Sequence, residues 1–162
     1  MSAVLVAYAT KHGSTREVAE SIAATLRDHG NQVDLLPAGE LRNPIVGLDL
    51  VVLGAPIYSG RWHRDAHRFL KRHREELLQM PVAVFGMGPR DGDQEAWRRS
   101  REQLDRALAR RDWLTPAAVA LFGGVDPPKR RSAPRRDQRD WDAIRAWANA
   151  IAPLASAATS RR

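Results

Sequence analysis

The chain has 162 residues, no cysteine, and 26 Lys and Arg against 19 Asp and Glu, for a formal net charge of +7. That length fits one domain with a single sizeable core. Without cysteine there are no disulfides, thiolate nucleophiles or thiolate-held iron–sulfur clusters, so any redox function needs a bound cofactor. No apolar stretch approaches the roughly 20 residues that cross a bilayer. Residues 1–9 read as a core strand rather than a cleavable leader, so a cytoplasmic location is expected.

Residues 3–9 are almost uniformly apolar, the pattern of a strand covered on both faces. Ser14 and Glu17 then have the spacing of a capping box, ahead of a helix. Val18, Ile22 and Leu26, with Ala19 and Ala23 beside them, stripe one face of that helix, which should end near Gly30. Residues 32–36 predict a second strand and 49–54 a third, central one. A helix over 64–78 should bury Ala66, Phe69, Leu70 and Leu77. A fourth strand is predicted at 82–86. The next helix, over 94–110, should bury Trp97, Leu104 and Leu108, and a fifth strand spans 117–122. Residues 125–136 are proline-rich and basic and read as a loop. A last helix over 138–152 sets Trp141, Ile144, Ala148 and Ile151 on one face. Strands alternating with helices predict an α/β fold, a doubly wound five-stranded parallel sheet with helices on both faces. One domain over 1–155 and a flexible tail over 156–162 are expected.

Ligands of such sheets bind beyond the carboxyl ends of the strands, where the strand order reverses. Three strand ends carry unusual loops. In the first, Thr10, Lys11, His12, Gly13, Ser14 and Thr15 combine hydroxyls with a glycine at a helix start, where unpaired N–H groups favour an anion. The same residues also suit a plain helix cap. Neither the P-loop spacing nor the dinucleotide-binding glycine fingerprint is present. The second loop is Ala55, Pro56, Ile57, Tyr58, Ser59 and Gly60, and with Trp62 it offers aromatic surfaces to a flat ligand. The third includes Gly86, Met87, Gly88, Pro89 and Arg90, whose glycines let a ring edge approach backbone groups. His12 and His63 are candidate proton relays. No histidine–carboxylate spacing suggests a metal.

The run from Thr10 to Thr15 resembles the phosphate loop of the flavodoxin family. The likeness extends over about residues 3–152, with Ala55 to Trp62 and Gly86 to Asp91 matching the two loops that flank the flavin ring. It implies a flavodoxin-like fold, FMN as cofactor, and electron transfer or flavin-dependent oxidoreduction. Within the family, G-A-P-I-Y-S-G-R-W-H at 54–63 and the final D-W-D-A-I-R-A-W-A are most similar to the flavodoxin-like protoporphyrinogen oxidase group. Membership there would imply a dehydrogenase passing electrons to a quinone. The chain departs from that group at 125–139, which is short, polar and basic where the group has a longer apolar insertion. A basic interaction module on a degenerate flavodoxin fold is the other alternative.

Charge bears on partners. Residues 61–74 and 129–139 each hold six Lys or Arg against one Asp. Such stretches fit an acidic redox partner protein or an anionic small-molecule substrate. Glu75 and Glu76 interrupt the first stretch and no nucleic-acid recognition motif accompanies it, so a nucleic-acid partner is not expected.

Overall fold

The computed structural model describes residues 1–126 and 135–160. Its sheet is built from β1 (Ala3–Tyr8), β2 (Gln32–Pro37), β3 (Leu50–Tyr58), β5 (Val82–Met87) and β6 (Ala118–Phe122), all parallel, in the order β2-β1-β3-β5-β6. Val6 on β1 lies between Leu35 and Val52, and Val52 in turn pairs with Ala83. This is the predicted five-stranded, doubly wound sheet. The chain leaves β1 toward one neighbour and returns to the other, so the strand order reverses beside β1 and β3.

Alternation along β1 divides the core. Val4, Val6 and Tyr8 face α1 (Ser14–Asp28) and α5 (Trp141–Ser160), where Ile22, Leu26, Ile144 and Ile151 are buried. Leu5, Ala7 and Ala9 face α2 (Arg64–Arg72) and α4 (Gln94–Ala109), against Phe69, Leu70 and Leu104. Phe85, Phe122 and Trp147 close the first layer, with ring centroids 5.7–6.1 Å apart.

Several local expectations give way to the structure. The capping box does not form: α1 starts at Ser14, its N-cap is Gly13 with φ of 88°, and no side chain caps it. Glu17 pairs instead with Arg139 at 3.3 Å. β3 continues to Tyr58 and turns back as β4 (Arg61–Trp62), so much of the second loop is a hairpin. Ser59 and Gly60 at its tip have φ of 50° and 76°. A two-residue turn with both central residues at positive φ matches the twist of the strands it joins.

The helix expected over 64–78 breaks at His73 into α2 and α3 (Arg74–Leu77). The His73 ring is fully buried, its Nε2–H donates to the Leu41 carbonyl at 3.0 Å, and Phe69 stacks beside it at 4.7 Å. Trp97 is only half-buried, its indole N–H donating to the Asp91 carbonyl. The last helix, expected over 138–152, begins at Trp141 and runs to Ser160. In the predicted loop 125–136, the part from 127 to 134 lies outside the described residues, as do 161 and 162 at the end of the tail. No helix among the described residues is long and apolar enough to cross a membrane.

Candidate functional site

The loop after β1 is folded by its own side chains. Gly13 N–H donates to Thr10 Oγ1 at 2.9 Å, which draws the chain into a tight bend, and the positive φ of Gly13 then launches α1. A Cβ on Gly13 would meet nothing within 4 Å, so a glycine is needed for backbone conformation rather than for space. At the start of α1, Glu17 N–H reaches the Gly13 carbonyl at 3.2 Å, leaving the preceding N–H groups without intrahelical acceptors. Thr15 is 0% exposed and its Oγ1 has no hydrogen-bond partner. A buried hydroxyl left unmet costs about 1–3 kcal/mol. The orphaned hydroxyl, the free N–H groups and the positive end of the helix together suit a multiply charged oxyanion.

Two clefts open beside this loop. One, of about 490 Å³, has Lys11 and His12 on one side and the hairpin tip (Tyr58, Ser59, Gly60) on another. The third loop supplies Gly88, Pro89, Arg90 and Asp91, and Arg136 reaches in from beyond β6. The second cleft, of about 630 Å³, runs from Thr10 and Lys11 past Tyr58 to the hairpin and the start of α2. Tyr58 borders both, with Lys11 Nζ 5.8 Å from its ring centroid. Burial raises the Tyr58 hydroxyl pKa more than the charge of Arg90 lowers it, so the phenol is neutral at physiological pH.

Behind the first cleft stands a buried carboxylate. Asp126 Oδ2 accepts from the Arg136 backbone N–H (2.9 Å) and Nε (3.0 Å), and Oδ1 accepts from Nη2 (3.1 Å). The bidentate pair ties the chain after β6 into a neck, closed by a bridge between Val125 and Asp137. Its bond to Asp126 strengthens the hold of the Arg136 guanidinium on its proton. The neck crosses the third loop at close range: Gly88 N–H donates to Phe122 and Gly124 N–H to Pro89, each at 2.7 Å. A Cβ on Gly124 would lie 2.4 Å from the Gly88 carbonyl oxygen.

Residues 5–135 match the family model of the flavodoxin domain. The chain belongs to the flavodoxin family. It is similar to protoporphyrinogen IX dehydrogenase (quinone) of Escherichia coli strain K12, with 33% identity over 84 residues. That alignment covers 51% of this flavodoxin domain and 46% of the E. coli protein, about half the length of each. Oxidised flavodoxin 2 of Bacillus cereus superposes with a TM-score of 0.62 at 21% identity, covering 93% of this chain and 97% of that one. The flavodoxin of Streptococcus pneumoniae TIGR4 gives 0.57 at 15% identity, covering 96% and 98%. At these identities the structural likeness establishes the fold.

The flavodoxin fold gathers many of the residues singled out in the sequence around these two clefts and buries others in the strands. Lys11, His12, Tyr58, Ser59, Gly60, Gly88, Pro89 and Arg90 line the first cleft together with Ile57; Thr10 and His63 line the second. Ala55, Pro56, Gly86 and Met87 are buried in the strands. Trp62 is 3% exposed; its indole N–H donates to the Ala55 carbonyl at 3.1 Å and its ring packs edge-on against His67. It braces the hairpin from inside and borders the second cleft. A Cβ on Gly86 would stand 3.1 Å from Leu104 Cδ2, and one on Gly88 3.0 Å from Leu121 Cδ1, so both positions are closely packed. His63 caps α2, its Nδ1 accepting from Asp65 N–H at 3.0 Å, and burial lowers its pKa.

Sequence reasoning missed Ala96, Ser100 and Gln103, which border the cleft, and Asp126 behind it. The first three fall four and three residues apart, a small and polar stripe on an otherwise arginine-rich helix.

Proposed function

We propose that this flavodoxin domain binds FMN and acts as a flavin-dependent oxidoreductase. The observation that carries the reading is Thr15 Oγ1, buried and unpartnered at a helix start that also offers free N–H groups. Thr10, Ser14 and Thr15 would hold the terminal phosphate by their hydroxyls, and Gly13 by leaving the backbone open to it. Tyr58 and the 88–90 segment would flank the ring. Bound FMN supplies the capacity to take up and release electrons with their protons.

The remaining work falls to the chain. Tyr58 presents a neutral phenol at the junction of both clefts. Lys11, against its ring, places a cation beside the site without an ion-pair partner among the described residues. His12 is exposed at the lip of the first cleft, where it can exchange protons with solvent. His63 keeps only Nε2 free for such exchange, since Nδ1 is engaged by the Asp65 N–H.

The E. coli relative, named for protoporphyrinogen IX and a quinone, supports an organic reductant as donor and a quinone as acceptor. A second reading, electron carriage to an acidic partner protein, is favoured by the exposed cations of α2, where Arg68, Lys71 and Arg72 line a shallow surface cleft of their own.

Titrating purified protein with FMN, followed by flavin fluorescence and absorbance, tests the cofactor. Saturable quenching with a shifted flavin spectrum is expected. A folded protein that leaves FMN fluorescence unchanged would overturn the reading.

A further inference from the structure

We propose that Arg90, positioned by Asp126 and the neck, receives a carboxylate of the electron donor, so that the site selects a carboxylate-bearing reductant. The inference rests on reading the first cleft as the flavin site.

Arg90 and Arg136 both line that cleft, and Arg136 is the more engaged of the two. Its Nε and Nη2 bond to Asp126, and its Nη1 lies 3.5 Å from Asp91. Arg90 makes no hydrogen bond among the described residues, and its nearest carboxylate oxygen is Asp126 Oδ1, 3.9 Å from Nη1. Asp126 therefore orients the Arg90 guanidinium from behind without saturating its fork of donors.

The stem of the side chain is packed as well. Pro89 accepts from Gly124 N–H at 2.7 Å, and a Cβ on Gly124 would lie 3.6 Å from Arg90 Cγ, so the stem of Arg90 runs along the glycine backbone of the neck. A guanidinium held at both stem and head, with open donors at a cleft mouth, is preorganised for a planar bidentate anion. Lys11, across the cleft, adds a second cation. Ser59, Ser100 and Gln103 supply neutral hydrogen-bonding groups between them.

The test uses protoporphyrin IX, a flat dicarboxylate, and its dimethyl ester in the same detergent, with binding followed by porphyrin absorbance with and without FMN. FMN affinity is measured separately by flavin fluorescence. Wild type is expected to bind the free acid roughly tenfold more tightly than the ester, the range of one charge-assisted contact. Arg90→Gln should erase that preference by weakening the acid alone, and Arg90→Lys should restore part of it. Asp126→Asn should also reduce the preference. Arg68→Gln, the same charge change on α2, should leave it intact.

A wild type without acid preference, a preference that survives Arg90→Gln, or an equal loss with Arg68→Gln would each overturn the proposal. If Asp126→Asn fails to fold by circular dichroism, the Arg90 pair still decides. An Arg90-dependent preference in a protein that ignores FMN would uphold the carboxylate site and overturn the flavin assignment instead.

Discussion

Thr15 is held for two opposing reasons, and a single substitution separates them. Its hydroxyl is buried with no acceptor, which penalises the protein without ligand and rewards an anion that supplies one. Thr15→Val keeps the shape and removes the oxygen. It should raise the stability of the ligand-free protein by about 1 kcal/mol and weaken FMN binding by about tenfold or more. Chemical denaturation and flavin titration on the same preparation check both signs. His67 makes a second residue-scale case. Burial first, then the nearby charges of Arg111 and Arg110, lower its pKa from 6.5 to about 4, and Arg111 Nη1 donates to its Nδ1 at 3.0 Å. The unfolded chain takes up this proton near pH 6.5, whereas the folded protein refuses it until about pH 4. Stability from this group is therefore complete above pH 6.5 and is lost as pH falls through that window. Melting temperature should drop across the same interval, and His67→Gln should flatten that part of the profile.

Among the elements, β3 carries the most constraint. Its Gly54 pairs with Phe85 on β5, and a Cβ there would stand 1.9 Å from the Phe85 ring. Gly54→Ala should cost about 1–3 kcal/mol or more, since neither central strand can move aside; urea denaturation would measure it. Strands such as β3 and β5 were legible because uninterrupted apolar runs have one stable place, the middle of a covered parallel sheet. The hairpin was legible in principle, because Ser59–Gly60 between two short apolar–polar pairs is a turn signal. A loop reading concealed it. The break at His73 was not legible, for it depends on a carbonyl 32 residues away in sequence, at Leu41. The length of α5 misled in the other direction: Pro153 suggests a stop, yet the alanines around it sustain the helix beyond. The cleft residues divide similarly. Loop residues after β1, β3 and β5 could be found from topology alone. Asp126 could not, because its importance comes from burial and from arginines met only after folding.

At the scale of the whole molecule, the described residues balance charge unevenly. Several cations on α1, α4, α5 and the neck meet carboxylates, as in Arg16 with Glu20, Arg98 with Glu95 and Glu102, Arg101 with Asp105, Arg145 with Asp142, and Arg139 with Asp137. Along β4 and α2, Arg61, Arg68, Lys71 and Arg72 have no carboxylate within 4.0 Å among the described residues, and Arg64 has only Asp65, at 3.9 Å. Electron delivery from the reduced, FMN-loaded protein to ferricyanide, an anionic acceptor, should therefore slow as salt is added. Reversing two of these charges, Arg68→Glu with Lys71→Glu, should lower the rate several-fold at low salt, flatten its salt dependence and leave the melting temperature unchanged. Stopped-flow measurements over a range of ionic strength would show it. This cationic stretch begins at the rim of the second cleft, where Arg61 and Arg64 sit beside Thr10, Lys11 and Asp65. At low ionic strength an anion is drawn toward that rim before contact, which shortens the search for the mouth without replacing it.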